Sequence, residues 1–211
     1  ATLRQIAFDW PAYPGARAAI PGIIEQLANS DEAKRIQARA LLNEVAPNWQ
    51  RLPEARKAIP GLVLRTAGPA DNSLSTQPMA LEVLNSIDSN WRHSSEAQQA
   101  IPPLLDVLHA LAGDNPNLSA TQWELRPGSQ NLLYQSYSPW TAVEILLQLE
   151  ANAKPSVKDL LPFVSHSRPD IRHAALTAVM LIDAQWQNTP AGSTAIAKLL
   201  EDASGFEDAT I

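Results

Sequence analysis

The chain has no cysteine, which excludes disulfides, thiolate metal sites and cysteine nucleophiles and leaves the redox compartment unmarked. Glycine is scarce, eight in 211 residues, and none falls in a phosphate-cradling loop or in the strand-turn-helix setting of a nucleophile elbow. Lysine and arginine together number 16 against 22 acids, a net charge of −6. Binding DNA or RNA relies on a basic surplus that releases counterions, so nucleic acid is not an expected partner. No apolar run approaches the roughly 20 residues of a membrane span, and the amino terminus lacks the charged and apolar regions of a signal peptide. No membrane contact is expected of this chain, and a cytoplasmic location is favoured.

What the chain does have is proline and tryptophan, 17 and six residues respectively, and they recur in register. The stretches Trp10 to Ala19-Ile20-Pro21, Trp49 to Ala58-Ile59-Pro60, Trp91 to Ala100-Ile101-Pro102 and Trp186 to Ala195-Ile196-Ala197 all place the Ile ten positions after the Trp. Pro14, Pro53 and Pro190 each stand four after their Trp. In the first copy the apolar positions run through Ala16, Ile20, Ile23, Ile24 and Leu27, which is one face of an α-helix. Apolar residues also stand four before each Trp (Ile6, Val45, Ile87, Ile182) and seven before it (Leu3, Leu42, Leu84, Val179), so a second amphipathic helix ends just ahead of the Trp. Two helices repeated at roughly 40 residues predict an all-α superhelix, a solenoid of about four to five helical hairpins stacked in one array over residues 1–211.

Taken in order, residues 2–8 carry only the last turns of a second helix. The first full repeat has helices over 14–28, opening on Pro14 where a missing N–H costs nothing, and from Ser30 to about Ala46, with Ser30 as the expected cap. The next repeat runs from Pro53 to Thr66 and from Ser75 to Ile87, with a polar turn between them. The interior prolines Pro21, Pro60 and Pro102 remove an amide from an established helix and are expected to bend it. The third repeat begins with Ser95 to about Ala112 and resumes at Ala142, Ile145, Leu146 and Leu149, leaving residues 113–138 as an insertion. The fourth lacks the Trp; Ala153 or Ala151 aligns with its place. Trp186 and the helix from Pro190 to about Ala203 open a fifth repeat with no second helix, followed by a polar tail. Both ends are expected to be cuts through a longer protein.

Paired helices of this length, a proline within the first, and Pro169-Asp170-Ile171-Arg172 leading into Ala174-Ala175-Leu176 in the second resemble HEAT repeats, in a subtype with Asn48-Trp49, Asn90-Trp91 and Gln185-Trp186 at the junctions. The resemblance implies a right-handed armadillo-like superhelix that serves as a scaffold for a protein partner. The family's Asp and Arg ladder is interrupted here: Arg35 matches Arg172, but Gln77 and Pro139 occupy that place in the second and third repeats. HEAT-like arrays also include enzymes, and the alternative is a chromophore-lyase-like protein or, against the acidic charge, one similar to a DNA glycosylase.

The junction residues Trp10, Trp49, Trp91 and Trp186 read as packing between repeats, since aromatics bury the most area per residue. The positions Pro21, Pro60, Pro102, Asp170 and Arg172 read as structural. His166 and His173 lack a third ligand at suitable spacing, so no metal is expected; His93 and His109 read as isolated surface or edge residues. Acids lie mostly on helix faces away from the apolar stripe, so no catalytic residue and no cofactor is assigned. The triplet Asn117-Leu118-Ser119 fits a glycosylation acceptor by pattern alone and carries no weight. The insertion gathers Trp123, Arg126, Tyr134 and Tyr137 among Asn, Ser and Gln, the mix of a binding surface. Those four residues are the candidate contacts for a protein partner; the rival reading folds the rings back over the array as cover.

Overall fold

The computed structural model describes residues 14–66, 76–113 and 139–204. Among these residues every regular element is helical and there is no strand. They fall into two compact units, dividing between Ala100 and Ile101.

In the first unit α1 (Pro14–Gln26) packs on α2 (Glu32–Val45), and α3 (Pro53–Arg56) with α4 (Ile59–Thr66) leads to α5 (Thr76–Ile87), which packs on α4. The unit ends with α6 (Ser95–Gln98). The first helices of consecutive hairpins touch, α1 against α3 and α4 against α6. In the second unit α7 (Ile101–Ala112) packs on α8 (Pro139–Gln148), and a 3-10 stretch Glu150–Ser156 leads into α9 (Val157–Val164), which pairs with α10 (Pro169–Ile182). Here α8 lies against α10, and α9 against α11 (Pro190–Ser204).

Apolar spacing selects the buried faces. Ile20, Ile24 and Ala28 of the first hairpin are buried against Ala38 and Leu42, and in the second unit Leu160, Phe163 and Val164 are buried with Ile171, Ala174, Ala175 and Ala178. The alanines of α10 leave little bulk between backbones, which lets α8 approach it closely.

The junctions repeat as hydrogen-bonded turns. The amides of Ala46, Asp88 and Asp183 close the preceding helix onto Leu42, Leu84 and Val179; the amides of Trp49, Trp91 and Trp186 then bond to the carbonyls of Ala46, Asp88 and Asp183, and the Trp carbonyls accept from Leu52, Ser94 and Thr189. Each Trp begins a short 3-10 turn (Trp49–Arg51, Trp91–His93, Trp186–Asn188) and is buried, Trp91 completely. Ser94 Oγ then accepts from the Ala97 amide and Thr189 Oγ1 from the Gly192 amide, capping the next helix. Six positions after each Trp stands Ala55, Ala97 or Gly192, and a Cβ on Gly192 would fall onto the Trp186 carbonyl.

Ahead of α9, where no Trp stands, Leu149 bonds back to Ile145, Asn152 N–H donates to Leu149 O, and Ala153 is fully buried. Three expectations change. Ser30 does not cap α2; Asp31 does, its Oδ1 accepting from Ala33 N at 2.8 Å. The helices containing Pro60 and Pro102 are interrupted rather than bent, at Lys57-Ala58 and Gln99-Ala100. Proline offers no N–H to the residue four before it, Arg56 or Gln98, and the chain turns there through the tighter bonds Ala58 N–H to Ala55 O and Ala100 N–H to Ala97 O. In α11, where Ala197 replaces the proline, the helix runs unbroken for 15 residues. Pro21 sits inside an uninterrupted α1, so proline permits the break without dictating it. Finally, His109 is not an isolated edge residue: its ring meets Phe163 edge-on at 4.6 Å.

Candidate functional site

Of the residues singled out by sequence, Trp10 and the insertion residues Trp123, Arg126, Tyr134 and Tyr137 lie outside the described residues. Trp49, Trp91 and Trp186 are interior. Asp170 is exposed and pairs with its near neighbour Arg168 at 2.6 Å, which holds its carboxyl below the usual range. Arg172 donates from Nη1 to His166 O at 2.7 Å, and Arg35 does the same to Asn29 O at 2.8 Å and Ser30 O at 2.9 Å. Each arginine thus ties its helix to the end of the preceding one. The turn itself is matched: Asn29 Oδ1 accepts from Asp31 N, and His166 Nδ1 from Arg168 N. His166 is therefore a turn acceptor. No cluster of three potential metal ligands occurs among the described residues, and no described helix is long and apolar enough to cross a membrane.

A cleft in the first unit was not legible in the sequence. The second helices α2 and α5 do not close on each other as α8 and α10 do; the Trp49 turn packs against α5 between them. The space left is about 420 Å³, within the range of roughly 300 to 1,000 Å³ that holds small ligands or side chains. One wall is Arg35, Arg39 and Asn43 of α2, the other Met79, Glu82, Val83 and Ser86 of α5, with Leu27, Leu42, Trp49 and Gln50 completing it. Trp49 and aliphatic residues supply its apolar lining, while charged groups stand on the two helices. The outer face of α2 continues from this cleft through Arg35, Arg39 and Asn43 to Ile36, which is 62% exposed.

Two further charge arrangements brace the same unit. Arg56 of α3 reaches Asp88 at 2.8 Å and Glu96 at 3.1 Å, joining the end of α5 to α6. Glu25 of α1 lies over Gly61 of α4, where any Cβ would strike its carboxylate, and its Oε2 stands 3.9 Å from Arg65 Nη2. Burial raises the Glu25 pKa above the ordinary 4.5, and Arg65 offsets only part of that.

Set beside known proteins, the chain matches no family model, no curated protein and no solved structure. Its function therefore rests on what the residues and geometry support.

Proposed function

We propose that the chain is a HEAT-like α-solenoid, a right-handed superhelix of hairpins, and that it acts as a non-catalytic scaffold for a protein partner. The observation that carries this is the recurrence of one junction: the same three backbone bonds surround Trp49, Trp91 and Trp186. Within each compact unit, hairpins joined in this way set first helix against first helix, α1 on α3 and α9 on α11. Such stacking buries one face of every helix against a neighbour and leaves the other faces for recognition. The exposed apolar residues Ile36, Met180 and Leu181 lie on second helices, α2 and α10. An apolar group on an otherwise polar helix face is the ordinary form of a protein contact.

One observation favours a second reading, an enzyme of the chromophore-lyase kind: the cleft has a volume suited to a small molecule and combines apolar with polar lining residues.

Selection of displayed random peptides on the intact chain tests the proposal. Enriched peptides should lose binding when Ile36→Glu or Leu181→Glu is introduced. Failure to enrich any peptide, together with binding of a linear tetrapyrrole to the chain, would replace the scaffold reading with the enzymatic one.

A further inference from the structure

The wall of the cleft contributed by α2 places two like charges one helical turn apart, Arg35 and Arg39. Like charges at this spacing repel along a helix. Arg39 makes no ion pair or hydrogen bond with another described residue, and the bonds of Arg35 to Asn29 O and Ser30 O both use Nη1, leaving its Nε and Nη2 groups for another acceptor. The acid across the cleft, Glu82, is not within ion-pairing distance of either arginine. In a chain of net charge −6, two arginines facing one unpaired acid leave this cleft with a local positive excess beside its apolar groups.

Residues four apart on a helix are separated by about 6 Å along its axis. In an extended peptide, side chains at alternate positions share a face and stand about 6.8 Å apart. Two carboxylates separated by one residue therefore match the axial spacing of the two arginine positions. Along α2 the next turn after Arg39 brings Asn43 close to Trp49, which keeps a small part of its surface, 8%, open at the cleft. A third alternate position on the same peptide face would lie there, and an apolar side chain suits it.

We infer that this cleft binds an extended acidic peptide, with two carboxylates one residue apart on Arg35 and Arg39 and an apolar side chain at the next alternate position over Trp49. The inference rests on the scaffold reading and names the chemistry of the partner segment. A single-stranded nucleic acid has phosphates at a comparable spacing, but the net charge of the whole chain repels a polyanion that extends beyond the cleft. Glu82 adds selectivity, since it opposes an acid on the α5 side and so fixes which face of the peptide enters.

The test uses fluorescence anisotropy on the full chain with a labelled peptide of sequence Leu-Ala-Glu-Ala-Glu-Ala-Leu, which reads similarly in either direction. Its partner peptide has Gln at both Glu positions. The acidic peptide should bind and the Gln peptide should bind roughly tenfold more weakly, with the difference shrinking at high salt. Arg39→Glu should abolish that difference, while Arg17→Glu, an exposed arginine on α1, should leave it intact. Glu82→Gln should tighten binding of the acidic peptide by about two- to threefold. Circular dichroism of each variant separates loss of binding from loss of fold. Equal binding of the two peptides, or indifference to Arg39→Glu in a folded variant, would overturn the inference. An Arg39-dependent preference for a labelled oligothymidylate over the acidic peptide would overturn it in favour of nucleic acid. If displayed peptides bind through Ile36 or Leu181 while the acidic peptide does not bind, the scaffold reading stands and the cleft assignment falls.

Discussion

Trp91 offers a sharp test of how the junctions are stabilised, because two terms of opposite sign act on one side chain. The ring is completely buried, and truncating a buried Trp to Ala costs about 3 to 5 kcal/mol. Arg92 lies over the ring at 4.7 Å from its centre, and loss of that contact adds about 0.5 to 1 kcal/mol. Against this, Nε1 of Trp91 is buried with no hydrogen-bond partner, a condition that costs about 1 to 3 kcal/mol and disappears with the indole. Trp91→Ala should therefore destabilise by about 2 to 4 kcal/mol, less than the burial alone would give. Trp91→Phe isolates the polar term: it keeps most of the apolar ring, removes the orphaned N–H, and should change stability by less than about 1 kcal/mol. The indoles of Trp49 and Trp186 do not have an orphaned buried N–H. Trp186→Phe then has only lost packing to show, about 1 to 2 kcal/mol. Urea unfolding followed by far-ultraviolet circular dichroism measures all of these, with unchanged m values as the check that the comparison is fair. A Trp91→Phe cost equal to or greater than that of Trp186→Phe would refute the orphaned-donor argument, and a Trp91→Ala cost below about 1 kcal/mol would refute the packing argument as well.

Other perturbations probe the remaining braces. Because the folded-state pKa of Glu25 is raised by burial, its contribution to stability is fullest below the ordinary 4.5 and is lost as pH rises through the folded value. A carboxyl-carbon NMR titration should place Glu25 above that ordinary value, and Arg65→Met should move it higher still; a value below the ordinary one would contradict the dominance of burial, and a downward move in the variant would contradict the role given to Arg65. Arg56→Met breaks links to Asp88 and Glu96, but with a 44% exposed guanidinium side chain the loss should be about 0.5 to 1 kcal/mol at low salt and vanish in high salt. Pro60→Ala restores an amide opposite Arg56 O, so Cα chemical shifts at Lys57 and Ala58 should become more helical; shifts that stay unchanged would mean packing, not the missing N–H, holds the break.

Element type was legible because helical spacing and the Trp register are local properties of the chain. The ends of α2 were less so: Ser30 and Asp31 are both good caps, and the choice is made by Asn29, whose side chain takes the Asp31 amide, and by Arg35, which occupies the Ser30 carbonyl. The Trp place ahead of α9 was ambiguous because apolar alignment cannot position a short gap; of the two candidates, Ala153 is fully buried. The interruption ahead of Pro60 was read as a bend because the sequence shows the missing donor but not how the freed carbonyl is turned. The cleft was invisible for a different reason. Arg39 and Glu82 lie off the apolar stripe and look like ordinary solvated positions, and only the separation of α2 from α5 turns them toward a shared space. The available signal was the pairing of Arg35 with Arg39 at one turn's spacing, with Asn43 rather than an acid one turn beyond Arg39.

The Trp junction also bears on how the chain reaches its folded state. Every backbone bond around Trp49, Trp91 and Trp186 joins residues three or four apart, so each can close without waiting for distant segments to meet, and the loop entropy lost is small. A helix end, a turn and the next helix start can thus be set locally while the indole waits for a neighbour to cover it. Such a chain has a short path to order, and its barrier should come from docking one hairpin on the next rather than from threading remote strands together. Lengthening the chain by whole hairpins would then leave the early steps of folding unchanged and alter mainly how far that docking propagates.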